Sequence, residues 1–128
     1  MISKQEAEAI HNILIAKFGG RKGIRDVSLL ESAIARPFAI FDNKELYPKA
    51  IEKAAAILES LAINHPFVDG NKRIAYTLMR LILLENDLDI NASQSKKYDL
   101  VISVSKGESR FDEIVIWLKE KVTKQNSL

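Results

Sequence analysis

Nine of the eleven positions from Ile74 to Leu84 carry apolar or aromatic side chains. Wound into a helix, Ile74, Ala75, Tyr76, Leu78, Met79, Leu81, Ile82, Leu83 and Leu84 cover almost the whole circumference, and a helix apolar on all sides has to be surrounded by other elements. The run is too short to cross a membrane, and Arg80 interrupts it. A second apolar stretch, Ala54 to Ile63, is broken only by Glu59 and Ser60 and is the natural neighbour. With 128 residues, 47% of them hydrophobic and 28% charged, the chain can fill one such core and reads as a single domain over residues 1–128.

The remaining pattern is helical with short connections. Ser3 and Glu6 form a capping box, and Ile10, Ile13, Leu14 and Phe18 mark a buried face that ends at Gly19-Gly20. Arg21 to Val27 reads as an ordered loop. Ser28 and Glu31 repeat the capping pattern ahead of a short helix that Pro37 closes. Residues 38–46, FAIFDNKEL, lack a helical period but place Asp42-Asn43 between apolar residues, so a small flap or hairpin is expected. Pro48 fits the first turn of a helix reaching Asn64, and the central helix runs from Asn71 to about Asn86. Ser93 or Ser95 opens a further helix to Ser105. Ser109 with Asp112 caps the last one, lined by Phe111, Ile114, Val115, Trp117, Leu118 and Val122. Residues 123–128 are expected to fray. The fold class is all-α, six or so helices around a buried central helix, with a small flap.

Several function classes are disfavoured. A net charge of +2 without a basic stripe or aromatic platform gives no reason to expect direct nucleic-acid binding. The start, MISKQEAEAIHN, has no apolar signal core, and no stretch suits a membrane. The chain has no cysteine, which excludes disulfides and thiolate metal sites and suits a reducing compartment; a cytoplasmic location is expected.

The chemistry concentrates in HPFVDGNKR, residues 65–73, immediately before the central helix. Pro66 and Gly70 make it a loop. The N–H groups of the following helix start, about Gly70 to Ile74, attract anions, and Gly70 lets the backbone approach one closely. Lys72 and Arg73 add cations where the helix dipole is already positive, which calls for a bound anion such as a phosphate. Asp69 beside such a nest suits Mg²⁺, which takes one or two carboxylates plus phosphates and water. His65 can accept a proton near neutral pH. Phe67 and Val68 read as core anchors of the loop. Cradle, metal carboxylate and base are the parts of a phosphoryl- or nucleotidyl-transfer site. Plain capping by His65, Asp69 or Asn71, with Lys72 and Arg73 as solvated surface, is the competing reading of the same residues.

The run resembles the signature of the Fic/Doc superfamily, H-x-F-x-[DE]-G-N-G-R in its Fic form and H-x-F-x-D-x-N-K-R in the Doc (death-on-curing) branch of toxin–antitoxin toxins. Residues 23–37, GIRDVSLLESAIARP, resemble the N-terminal segment of Doc-like proteins. The resemblance implies His65 as general base, Phe67 as loop anchor, Asp69 as Mg²⁺ ligand, and Gly70, Asn71, Lys72 and Arg73 as the nucleotide phosphate site. It implies ATP and Mg²⁺ as cofactors and transfer of the γ-phosphate to a threonine of a translation factor, elongation factor Tu. Lys72, a glycine in adenylylating Fic enzymes, is consistent with the kinase branch, because its side chain would fill the space through which the diphosphate threads. Gly70 is Fic-like and keeps AMP transfer open; a non-catalytic nucleotide- or phosphate-binding module is the third reading. A self-inhibitory [ST]-x-x-x-E-[GN] segment is missing, since Leu81 stands four residues before Glu85-Asn86. The implied restraint is an antitoxin whose C-terminal segment folds onto a groove, while the flap 38–46 would hold the target peptide as an added strand.

Overall fold

The computed structural model describes residues 1–125. Helix α3 (Ala50–Asn64) and helix α4 (Asn71–Glu85) form the centre and make the most extensive contact in the molecule. Ala54, Ala55, Ala56 and Ala62 are fully buried along α3, and these small side chains let the two backbones come close. Of the two, α3 is the more completely enclosed: every residue from Ala54 to Ala62 is buried. Helix α4 buries Ile74, Ala75, Leu78, Met79, Ile82 and Leu83 but leaves Arg80 and Leu84 exposed, so it is not surrounded on all sides.

Four outer helices complete the all-α fold: α1 (Lys4–Phe18), α2 (Val27–Ala35), α5 (Gln94–Ser105) and α6 (Phe111–Lys121). A 3₁₀ turn, Arg36–Phe38, takes in Pro37. The Ser3–Glu6 capping box is present, with Glu6 N–H on Ser3 Oγ at 3.0 Å and Ser3 N–H on Glu6 Oε1 at 3.1 Å. The buried face of α1 is Ala7, His11 and Ile15; Ile10 and Leu14 are half-buried, and Ile13 and Phe18 point outward, 64% and 54% exposed. Apolar spacing alone favours the large side chains there and misses a stripe built partly from alanine and histidine.

The capping of α2 and α6 differs from the sequence pattern. Ser28 is the second residue of α2, and the cap is Asp26, whose Oδ1 accepts the Leu29 N–H at 3.0 Å. At α6, Ser109 is engaged with Ser103 at 2.9 Å, and the Phe111 N–H is received instead by Glu59 of α3 at 2.8 Å. Pro48 stands just outside α3, ahead of its cap residue Lys49.

The flap is a hairpin of β1 (Ile40–Phe41) and β2 (Lys44–Glu45), closed by Asp42 and Asn43 with φ of 52° and 60°, the two left-handed residues such a tight turn requires. Lys53 of α3 holds it by donating to Glu45 at 2.9 Å and to the Tyr47 carbonyl. A second ribbon pairs β3 (Leu88–Ile90) with β4 (Val122–Lys124). Residues 123 and 124 are thus strand rather than frayed tail; residues 126–128 lie outside the described residues.

Candidate active site

The loop between α3 and α4 is shaped by what each helix end leaves unsatisfied. His65 terminates α3 in the left-handed conformation, φ 49° and ψ 59°, and turns the chain away. A non-glycine residue there carries strain of about 1 kcal/mol or more, of the kind that collects at functional sites. The α3 carbonyls exposed by this turn find a donor: Arg25 Nε and Nη2 each lie 2.8 Å from the carbonyls of His65 and Asn64. The Arg25 and Asp26 N–H groups donate to Pro66 O at 2.7 and 3.0 Å, and Val68 N–H donates to Gly23 O at 2.9 Å. Residues 21–27 read in the sequence as an ordered loop; 21–26 are a strap laced along the active loop, and Val27 already begins α2.

Asn71 closes the loop on itself. Its Oδ1 accepts the Phe67 N–H at 2.9 Å and its Nδ2 donates to Phe67 O at 3.0 Å. The amide is therefore spent inside the loop, and what Asn71 offers a ligand is its backbone N–H. Phe67 is the expected anchor, 1% exposed. Val68 is not: it is exposed and holds the loop through its backbone only.

Gly70 precedes α4 at φ 73°, and a Cβ there would lie 3.2 Å from Ile15 Cδ1 and 3.5 Å from His11 Nε2. Gly70→Ala is expected to lower stability by about 1–2 kcal/mol, because both the left-handed backbone and this close approach oppose it; urea denaturation measures it, and a loss below about 0.5 kcal/mol would show that the turn relaxes freely.

Asp69 is exposed, and its carboxylate takes the Arg21 N–H on Oδ2 at 3.0 Å and the Gly70 N–H on Oδ1 at 2.8 Å. The Arg21 and Gly70 hydrogen bonds hold this carboxyl below its usual range, so it is an anion wherever the site would work. Each oxygen keeps a second lone pair, and the fit to a single Mg²⁺ contact is good. The His65 imidazole is also exposed. The α4 start leaves the N–H groups of Asn71, Lys72 and Arg73 without helical acceptors. Lys72 and Arg73 enter none of the ion pairs among the described residues; Arg73 lies over the Phe18 ring, 4.5 Å from its centre.

From this rim opens a groove of about 480 Å³ between α1, α4 and α5, with Leu14, Phe18, Tyr76 and Val101 on its walls and Lys72, Arg73 and Lys97 at its edges. Sequence reasoning missed His11, which lies beneath the loop with Nε2 2.7 Å from Asp69 O and its ring stacked on Phe67 at 3.9 Å. The signal was available: Ala7, His11 and Ile15 recur at the helical spacing of four.

This strapped loop, feeding a helix N-terminus that carries two adjacent cations, belongs to a known class. The Fic/DOC family model matches residues 1–83, which include the whole loop, and the chain belongs to that family. Among curated relatives it is similar to a protein named Toxin Doc from Mycolicibacterium smegmatis, 39% identical over 103 residues that cover 76% of each chain. It is also similar to Protein kinase doc of Escherichia phage P1, 32% identical over 107 residues, 84% of this chain and 83% of the relative.

Proposed function

We propose that the chain is a Doc-type toxin that uses Mg-ATP to phosphorylate a serine or threonine hydroxyl of a translation factor, elongation factor Tu being the target the family implies. The observation that carries this reading is the pair Lys72 and Arg73, two cations with no carboxylate partner among the described residues, at the free N-terminus of α4 beside the exposed His65 and the ionised Asp69. The relative named a protein kinase supports it.

In this reading the N–H groups of residues 71–73, with Lys72 and Arg73, bind the nucleotide phosphates. His65 accepts the proton of the target hydroxyl as its oxygen bonds to the γ-phosphorus; the bond from that phosphorus to the β,γ-bridging oxygen breaks, and ADP leaves. Mg²⁺, held by Asp69 with phosphates and water, would neutralise charge on the phosphates. No group of three or more His, Cys, Asp or Glu residues converges among the described residues, so such an ion would arrive with the nucleotide. The strap keeps His65 and the helix end in register before any ligand binds.

The flap suits a peptide. Ile40 and Phe41 are 68% and 73% exposed on a two-residue edge strand that could accept another strand. The groove between α1, α4 and α5 suits the antitoxin, because its apolar walls and cationic edges match an amphipathic segment carrying acidic residues. No helix among the described residues is long and apolar enough to cross a membrane; a translation factor as target would set the site of action in the cytoplasm.

Gly70 keeps a second reading, AMP transfer, because the Fic form of the signature carries glycine at the same place. One experiment separates the two. With Mg²⁺ and a cell extract containing the target, label from γ-³²P ATP is expected on protein and label from α-³²P ATP is not. The reverse pattern would establish AMP transfer, and label from neither would leave a phosphate-binding module.

A further inference from the structure

We propose that His11, which the reaction as described above does not use, is a positioning residue that fixes the Asp69–Gly70 peptide and thereby aims the phosphate site. The ring lies in α1, 1% exposed, stacked on Phe67 with an interplanar angle of 8°. Its Nε2 is 2.7 Å from Asp69 O. A carbonyl oxygen only accepts, so Nε2 carries the proton and donates. Its Nδ1 is buried with no partner among the described residues. A buried imidazole with one nitrogen left unpaired is costly for stability alone, and an apolar side chain of similar size would fill the space without that cost.

The hydrogen bond has a geometric consequence. In a trans peptide the C=O and N–H point opposite ways. With Asp69 O drawn down onto His11, the Gly70 N–H points up to the Asp69 carboxylate, which it meets at 2.8 Å. The same peptide sets Gly70 into its left-handed turn, and α4 begins one residue later. One buried donor therefore orients both the metal-binding carboxylate and the first N–H groups of the anion nest. Phe67, on which the His11 ring stacks, is the residue Asn71 clamps from the loop side. The effect on ATP rests on the transfer reading; the hydrogen bond and its hold on Gly70 do not.

Two variants separate a positioning role from core filling. His11→Gln keeps a donor, its amide nitrogen the same number of bonds from Cα as Nε2, and loses the stacking. His11→Phe keeps the stacking and loses the donor. Long-range ¹H–¹⁵N spectra of the wild-type chain are expected to show His11 as the Nε2–H tautomer. The Gly70 amide resonance should move in His11→Phe and stay near its wild-type position in His11→Gln. Mg-ATP affinity, read by calorimetry, should fall about tenfold in His11→Phe and recover in His11→Gln, although both lose comparable thermal stability. An Nδ1–H tautomer overturns the proposal, and so does a His11→Phe chain with an unmoved Gly70 amide and wild-type affinity. The tautomer is read on the wild type and decides even where His11→Phe fails to fold. A wild type that binds no Mg-ATP, with the tautomer and the Gly70 shift as expected, sinks the ATP reading and leaves the positioning of Gly70 standing.

Discussion

Replacing His65 by alanine is expected to lower phosphate transfer by about 10³-fold, the usual contribution of a positioned general base. Stability should change by less than about 1 kcal/mol, since the side chain is exposed and the strap grips the backbone of this residue rather than its ring. The two readouts together give the substitution its value. Arg25 and the residues around it would hold the loop in the variant as in the parent, so Mg-ATP affinity should stay close to the wild type while the rate collapses. Initial rates of label transfer, with calorimetric affinity measured beside them, check this. Undiminished transfer in His65→Ala would remove His65 from the role of base.

The second large effect lies far from the chemistry. Glu59→Ala is expected to cost about 3 kcal/mol in urea denaturation. The carboxylate is buried in α3 and receives Arg36 Nη1 at 2.8 Å, Arg110 Nε at 2.9 Å and the Phe111 N–H at 2.8 Å. Truncation leaves the half-buried Arg36 without its counter-charge and α6 without the acceptor for its first N–H. Arg110→Ala should cost under about 1 kcal/mol, because that side chain is 61% exposed and water replaces its bond. Equal losses in the two variants would refute the bridging role of Glu59.

Burial pushes the Glu59 carboxyl up, but the hydrogen bonds from Arg110, Arg36 and Phe111 together outweigh it and hold it below the usual range. A carboxyl lowered on folding stabilises fully above its unfolded value, about 4.3. That stabilisation is lost as pH falls through the lower folded value. The same acid limb should be flatter in Glu59→Gln.

The parts of this architecture legible in the sequence are those whose partners are close along the chain. Ser3 and Glu6 cap α1 from three residues apart, Ser93 caps α5, and Asp42-Asn43 turns the hairpin. The apolar density of residues 74–84 announced α4, and the loop before it drew attention to His65, Asp69, Lys72 and Arg73. Ser109–Asp112 has the spacing of a cap just as Ser3–Glu6 does, yet α6 is capped by Glu59, fifty-two positions away. Spacing cannot distinguish the two, because the choice depends on which acceptor tertiary packing delivers. The spacing of Ala7, His11 and Ile15 could place His11 on a buried face but not name its partners: Phe67 and Asp69 are remote in sequence and adjacent only once α1 lies across the loop. The pairing of β4 with β3 likewise joins segments that carry no mutual signal.

The β3–β4 ribbon also decides where the molecule can be held. Gln125 leaves it with its N–H on Asp87 O, at the end of α4 opposite the active loop, about 20 Å away along the helix axis. A linker to a bead, a fluorophore or a force probe attached beyond that point starts at the end of α4 remote from the active loop. The other end offers no such freedom. Ile2 is buried and Ser3 caps the helix that carries His11, so a handle fused there would pull on the floor of the site.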